Sequence, residues 1–323
     1  MASLSGHERS TATETGAMFG YVARRVAAAL PTLLAIVVLT FFLMRLAPGG
    51  PFDTERPVDP EIRQNLQHIY RLDLPLPQQF GLYVWSLVRG DFGPSFHWRD
   101  FSVNDLFAHA FPVSLRLGAQ ALLLSLALGM AFGLVAATRS GAFAARLVDA
   151  FAILVLAVPN FVVAPLLHLV FGLMLRALPV GGYDADDWRT QILPVVTLAL
   201  PQIAAIARLT EAALRDVLAA PHIRTLRAFG LPARTINAHA LRAAFLPVLS
   251  YLGPTAANLL TGSVVVETIF GIPGLGRYFV TAALGRDYTL VMATVIVVAL
   301  LVILFNLIVD LLYAFVDPRI GHE

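Results

Sequence analysis

Long runs of apolar residues, separated by polar connections, extend along most of this chain. A helix needs about 20 apolar residues to cross a hydrocarbon core about 30 Å thick. Five runs meet that length, at residues 26–44, 117–138, 150–175, 243–266 and 288–309. A sixth run, 190–207, is shorter and holds two prolines. We count it as a kinked span, because otherwise the flanking loops fall on inconsistent sides. The pattern predicts an all-α polytopic membrane protein with six transmembrane helices.

Polar segments surround and separate these spans. Residues 1–18 are rich in Ser, Thr and Ala, which predicts a disordered leader, so the transmembrane domain covers 19–320. Arg24 and Arg25 resemble a twin-arginine export signal, but the apolar run that follows is too long for a cleaved signal. We therefore favour a membrane anchor with flanking arginines.

Arginine distribution predicts the orientation, because short cytoplasmic loops carry an excess of basic residues. With both termini cytoplasmic, the inner segments hold 12 arginines and the two short outer loops hold 4. Residues 47–112 then form a long outer segment by parity, and 208–246 form a cytoplasmic loop. The predicted location is the cell inner membrane, in a multi-pass arrangement.

Composition supports a membrane protein and excludes several kinds of chemistry. The chain of 323 residues is 58% hydrophobic and 14% charged, and its net charge of +2 implies no nucleic-acid partner. All 23 basic residues are arginine, so a phosphate-binding loop that needs lysine is excluded, and any nucleotide-driven step belongs to a partner. There is no cysteine, no H-E-x-x-H and no G-x-S-x-G. We predict no catalytic residues, no metal site and no cofactor in this chain, and we interpret His168 as a satisfied core histidine.

The cytoplasmic loop contains a basic stretch, "HIRTLRAFGLPARTINAHALR", at 222–242. Pro221 and Gly230 predict a short helix, a turn and a second helix that continues into the fifth span. A basic amphipathic segment of this kind could bind anionic lipid headgroups. Apolar residues alternate with the arginines across the turn, and this favours a docking surface for a protein.

A glycine- and proline-rich turn follows the fifth span. The glycines and Pro273 predict a tight outer turn, with Pro273-Gly274 at the centre of a type II turn and Gly274 at positive φ. Broken backbone at this depth is tolerated where it is buried in protein or lines a cavity. Glu267 and Asp310 are ionisable groups near span ends, and Asn306 shares a helix face with Asp310. For both acids we favour packing at helix ends over contact with a substrate.

Several motifs together resemble the first, B-type permease subunit of binding-protein-dependent ABC importers for oligopeptides and dipeptides, with the oligopeptide branch closest. The resemblance covers about residues 18–320. The motifs are "FFLMRLAPGGPFD" (41–53), "GDFGPSF" (90–96), "PNFVVAPLL" (159–167), "HIRTLRAFGLP" (222–232), "HALRAAFLPVLSYLGP" (239–254), "LTGSVVVETIFGIPGLG" (260–276), "RDYTLVM" (286–292) and "LFNLIVDLLYAFVDPRI" (304–320).

The resemblance implies the type I ABC importer permease fold and a coupling helix around Gly230 that docks on a cytoplasmic ATPase subunit. The coupling residues would be Arg224, Thr225, Arg227, Ala228, Gly230, His239 and Arg242. We assign the translocation path and gate to Asn160, Gly262, Ser263, Glu267, Pro273, Gly274, Asn306 and Asp310. This sequence departs from the family pattern at Leu226, where Ala is usual, at Phe229, where Lys is usual, and at Glu211, where a basic residue is common.

The implied partners are a second homologous permease subunit, two cytoplasmic ATPase subunits that bind ATP, an extracytoplasmic peptide-binding protein and membrane lipid. The outer segment would contact the binding protein or cover the entrance. Two alternatives stay open. One is the same architecture with another cargo, such as dipeptides, murein peptides, a sugar or a nickel chelate. The other is a different class, an ion-coupled secondary transporter or an intramembrane enzyme.

Overall fold

The computed structural model describes residues 5–46, 50, 60–98, 100–139, 141–260 and 264–316, and helices make up most of these ranges. The helices in them are α1 (Ser5–Leu46), α2 (Pro60–Ile69), α3 (Leu76–Val88), α4 (Val103–Thr138), α5 (Phe143–Ala157), α6 (Asn160–Leu167, continued by a π-helix, His168–Met174), α7 (Arg189–Ala219), α8 (Pro221–Ala228), α9 (Ala233–Leu260), α10 (Val264–Ile269), α11 (Leu275–Leu284) and α12 (Tyr288–Val316). No strand occurs within these ranges, so the predicted all-α class is confirmed.

The predicted number of transmembrane spans is confirmed, and the shape of one span is corrected. Five segments within the described ranges are long and apolar enough to cross a membrane, and α5 with α6 makes a sixth span if the pair is counted as one. The predicted span 150–175 is broken, because α5 and α6 meet at an angle of 105°. Pro159 disfavours helical backbone at the residue before it, and Val158 is accordingly extended.

The short run with two prolines is part of a much longer helix. Pro194 and Pro201 both lie inside α7, which has 31 residues. Many of its residues are buried, and α4 packs along it. Tertiary packing therefore keeps this segment helical despite the backbone hydrogen bonds that the prolines remove.

Two predicted boundaries differ from the structure. Residues 5–18, predicted as a disordered leader, belong to α1. Alanine and glutamate in this stretch favour helix, and the stretch extends an apolar helix that needs no new nucleus. The predicted outer segment ends at 112, but α4 already begins at Val103, where Ser102 and Asp105 form a capping box. With 36 residues α4 is about 54 Å long, so it extends well beyond the hydrocarbon core.

Small residues let the central helices pack closely. Gly129 and Gly133 on α4 face α7, and a methyl group on Gly129 would lie 2.7 Å from Cβ of Ile206. A methyl group on Gly133 would lie 2.6 Å from the carbonyl oxygen of Ala207. This G-x-x-x-G spacing puts both glycines on one helix face, so α4 and α7 form the tightly packed centre of the bundle.

The bundle has two distinct ends. At one end, the start of α4, the start of α12 and α11 form an apolar cluster that includes Val103, Leu275 and Leu290. We call this the α3 end, because the residues that lead from α3 into α4 also pack there. At the other end, Ala137 and Leu214 form a cluster with α8 and the start of α9. We call this the α8 end.

Candidate functional site

Helix α8 is a separate short helix between α7 and α9, as predicted. Ala220 is extended and Pro221 follows at the first helical position, which ends α7 and starts α8. Gly230 ends α8 with φ of +73°. The Gly230 amide donates to the Arg227 carbonyl, and the Leu231 amide donates to the Leu226 carbonyl. This is a Schellman turn, in which glycine adopts the left-handed conformation without steric cost.

One face of α8 is anchored in the bundle. Ile223 is 1% exposed and packs in the cluster of Ala137, Leu214 and residues of α9. Leu226, a departure from the family pattern, is half-buried against the same cluster. The helix is therefore held by apolar contacts with α4, α7 and α9 and is not a loose polybasic loop.

The opposite face of α8 is exposed and basic. All seven predicted coupling residues are exposed: Arg224, Thr225, Arg227, Ala228 and Gly230 on α8 and its turn, with His239 and Arg242 on α9. α8 itself contains no acidic residue. Phe229, the second departure, is 77% exposed beside Gly230. The sequence prediction left Phe229 out of the site, although an exposed aromatic ring is a typical anchor for a protein groove. We call Arg224, Arg227, Ala228, Phe229 and Gly230 the coupling face.

Glu267 organises the turn at the α3 end. Its side chain is 2% exposed. The carboxylate accepts hydrogen bonds from Ser114 Oγ at 2.7 Å, the Gly276 amide at 2.8 Å and the Arg277 amide at 3.1 Å. Ser114 Oγ accepts one from the Leu275 amide at 2.9 Å. The first three amides of α11 are thus satisfied by Glu267 and Ser114, and the negative charge lies at a helix N-terminus, where it is favourable.

The conformation predicted for Gly274 is wrong. Its φ is −103° and its ψ is 176°, so it is the extended N-cap of α11 and not the centre of a type II turn. Gly271 has the positive φ, at +67°. The Gly271 amide donates to the Thr268 carbonyl and the Ile272 amide to the Glu267 carbonyl, which completes a Schellman turn after α10. Gly274 is required for another reason: a methyl group there would lie 2.5 Å from both carboxylate oxygens of Glu267.

Pro273 lines an open cavity at the same end. The cavity measures about 250 Å³, and its walls are Trp98, Pro273, Arg277, Tyr278 and Thr281. The Trp98 and Tyr278 rings meet edge to face with centroids 5.4 Å apart. The predicted outer turn therefore borders a cavity whose walls combine a guanidinium with two aromatic rings.

The other predicted path residues lie on separate elements. Asn160 is the first residue of α6, at the 105° bend. Asn306 faces α9, where its Oδ1 would lie 3.1 Å from a methyl group on Gly253. Asp310 pairs with Arg25 of α1 at 3.2 Å, which is the helix-end packing that we favoured for it. Gly262 and Ser263 lie outside the described residues. The structure thus brings Glu267 and Gly274 into contact and places Asn160, Asn306 and Asp310 elsewhere.

His168 packs in the core as predicted, but its hydrogen bonding differs from the prediction. Its ring stacks on Phe270 with centroids 5.0 Å apart. The buried Nε2 atom has no hydrogen-bond partner within the described part of the chain, so the prediction of a satisfied histidine does not hold there. The same part of the chain contains no group of three or more His, Asp or Glu side chains arranged to hold a metal ion.

Asp287 joins the start of α12 to the turn at residues 95–97 at the α3 end, and the sequence analysis did not identify it. It is fully buried and caps α12, with Oδ1 accepting from the Leu290 amide at 3.1 Å. Its Oδ2 accepts from Ser95 Oγ at 2.5 Å and from the amides of Phe96 and His97. Asp287 thereby holds the turn of "GDFGPSF" against "RDYTLVM". The available signal was an aspartate directly before a long apolar helix, which is a capping position.

Comparisons with known proteins give the family. Residues 129–322, more than half of the chain, match the family described as "Binding-protein-dependent transport system inner membrane component". Over 306 residues, 94% of this chain and 100% of the relative, the chain is 48% identical to the oligopeptide transport system permease protein OppB of Salmonella typhimurium. The protein of the same name from Escherichia coli (strain K12) is 47% identical with the same coverage. The dipeptide transport system permease protein DppB of Bacillus subtilis is 40% identical over 304 residues, 94% of this chain and 98% of the relative. The resemblance seen in the sequence is thus confirmed, and the chain belongs to the family of binding-protein-dependent transport system inner membrane components.

Proposed function

We propose that this chain is an oligopeptide permease subunit of an ABC importer, in which separate ATPase subunits supply the energy through the coupling face. The observation that carries the proposal is the exposed basic helix α8, anchored on one face and carrying Phe229 on the other. It occurs in a chain nearly half identical to two oligopeptide permeases along their whole length. A second homologous permease would complete the pathway, and a binding protein would deliver the peptide.

The anchoring of α8 explains how force would reach the pathway. Ile223 packs in one cluster with α4, α7 and α9, so a displacement of α8 is passed to three long helices. α4 then connects the two ends of the bundle, from Ala137 near α8 to Ser114 beside Glu267. Those two residues are roughly 35 Å apart along a continuous helix. ATP-driven closure of the ATPase subunits would therefore be transmitted along α4 to the turn at the α3 end.

This function requires the α8 end to be cytoplasmic. The chain has no cysteine, so single cysteines report position without background. Ala228→Cys lies on the coupling face, and Leu284→Cys lies at the other end; both positions are exposed. In intact spheroplasts, a membrane-impermeant maleimide should label Leu284→Cys and not Ala228→Cys. The reverse labelling would contradict the orientation.

Contact with the ATPase subunit is tested with the same pair of variants. A short bifunctional crosslinker should join Ala228→Cys to the ATPase subunit and should not join Leu284→Cys to it. If Ala228→Cys gives no adduct in an assembled, active complex, α8 does not contact the ATPase. Labelling with lipid-borne reagents instead would favour the alternative that the arginines bind headgroups.

The cargo follows from the relatives and is tested by uptake. The proposal predicts that the complex imports labelled peptides of several residues. The 40% identity to a dipeptide permease supports dipeptides as the second candidate. Competition between a dipeptide and a pentapeptide, measured with the same binding protein, separates the two. Import of dipeptides alone would replace the oligopeptide assignment.

A further inference from the structure

Helix α3 differs from the other helix of the outer segment. Its 13 residues contain no Asp, Glu, Lys or Arg, and most of them are apolar. α2, a few residues earlier, carries Glu61 and His68 with several amides. A helix that is apolar around most of its circumference is buried in protein or in a membrane, yet the sequence pattern places α3 outside every span. More than one face of α3 must therefore contact apolar surroundings, either protein or lipid.

The position of α3 along α1 shows its depth. The Phe80 ring lies 5.2 Å from the Phe41 ring and 5.8 Å from the Phe42 ring, between centroids. The Tyr83 ring stacks on Phe41 at 5.8 Å. Phe41 is five residues before the end of α1 at Leu46, which is about 7.5 Å along the axis of a membrane-spanning helix. α3 therefore lies beside the last turns of a span and not beyond it.

The packing of α3 against the protein is fixed. Gln79 is buried and donates from Nε2 to the Leu72 carbonyl at 3.0 Å and to the Leu74 carbonyl at 2.7 Å. These bonds tie α3 to the connection from α2. Burial against α1 also raises the pKa of the Tyr83 hydroxyl. The face that bears Gln79, Phe80 and Tyr83 is consequently the inner face.

The outer face of α3 has the chemistry of a membrane interface. Leu82, Trp85 and Val88 are exposed, Trp85 by 56%. The Arg89 guanidinium lies 4.3 Å from the centre of the Trp85 ring. Tryptophan is enriched at the boundary between headgroups and acyl chains, and arginine places its stem along apolar surface while its charge reaches phosphate. At the same depth, α1 exposes Leu43 and Leu46 on a helix that spans the membrane, so the apolar surface continues from the span onto α3.

We propose that α3 lies in the membrane interface at the α3 end, with Leu82, Trp85 and Val88 among lipid acyl chains and Arg89 at the phosphate level. The occupant of this face is the phospholipid leaflet. The interfacial helix would hold the start of the outer segment at a constant height over the bundle, independently of which cargo or ATPase the complex uses. A partner protein that covers the same face is the competing outcome of the test.

Trp85 itself is the probe. The chain has three tryptophans, so Trp98→Phe with Trp188→Phe leaves Trp85 alone. The assembled complex, with tryptophan-free partner subunits, is reconstituted into nanodiscs of phosphatidylcholine or of the same lipid brominated near the headgroup end of its chains. We expect strong quenching of Trp85 by the brominated lipid, weaker quenching when bromine lies near the chain ends, and little quenching by aqueous iodide.

The matched control keeps Trp98 instead, through Trp85→Phe and Trp188→Phe. The Trp98 ring packs against Tyr278 in the cavity at the α3 end, so brominated lipid should quench it several-fold less. Peptide uptake by both variants verifies that they fold. Quenching of Trp85 by iodide but not by brominated lipid would place α3 in water. Protection of Trp85 from both quenchers would show that a protein covers this face. Either result overturns the proposal.

Discussion

Phe229 provides the sharpest test of the coupling face. Its side chain is 77% exposed, so Phe229→Ala removes almost no contact within the chain, and the free energy of unfolding of the permease should change by less than about 0.5 kcal/mol. If Phe229 enters a groove on the ATPase subunit, it buries about 150 Å² there, worth up to roughly 4 kcal/mol at about 25 cal/mol per Å². Alanine retains part of this contact, so we expect a loss of about 2–3 kcal/mol, or roughly 30- to 150-fold in the dissociation constant.

Phe143 is the matched control for this substitution. It is 69% exposed at the start of α5, which begins at the α8 end, but it lies outside the coupling face. Purified permease complexes carrying Phe229→Ala or Phe143→Ala are titrated with ATPase subunit, and peptide uptake is measured in parallel. Phe229→Ala should lose ATPase binding and uptake while Phe143→Ala retains both. Equal behaviour of the two variants would refute the role of the coupling face.

Three substitutions test the turns and caps. Gly230→Val should reduce ATPase recovery more than Gly230→Asn, because positive φ costs a β-branched residue about 1–3 kcal/mol and asparagine tolerates it; equal loss in both would indicate contact by the side chain instead of strain. Gly274→Ala should lower the unfolding temperature and uptake although its φ suits alanine, because the methyl group overlaps the Glu267 carboxylate; unchanged melting would show that this turn is loosely packed. Asp287→Asn should cost about 1.5–3 kcal/mol by weakening charge-assisted bonds, detected as faster proteolysis at the Ser95 turn; resistance equal to wild type would contradict the role of this cap.

Local signals in the sequence predicted the α8 end well. Pro221 and Gly230 act within a few residues, since proline starts a helix and glycine supplies positive φ at its end. The prediction counted Phe229 in the apolar pattern of the loop but did not include it among the coupling residues. Phe229 is exposed because Ile223 faces the bundle and so fixes the orientation of α8. Ile223 is held there by Ala137 and Leu214, which are distant in the sequence.

At the α3 end, contacts between distant residues determine the turn conformations, and there the prediction for Gly274 was wrong. Gly274 looked like the centre of a type II turn, but the carboxylate of Glu267 and the hydroxyl of Ser114, 153 residues apart along the chain, impose an extended cap. Asp287 and Ser95 are 192 residues apart, so no local pattern joins them. The break between α5 and α6 had a local signal in Pro159, and the apolar composition on both sides concealed it.

We propose that ATP hydrolysis by partner subunits drives peptide import through this chain. Its most direct test is uptake of a labelled oligopeptide into proteoliposomes that contain this chain, the second permease and both ATPase subunits, with the binding protein outside. We expect uptake that requires ATP inside, continues when ion gradients are dissipated, and is lost with Phe229→Ala. Uptake driven by a proton or sodium gradient without the ATPase subunits would contradict ATP-driven import and identify an ion-coupled transporter.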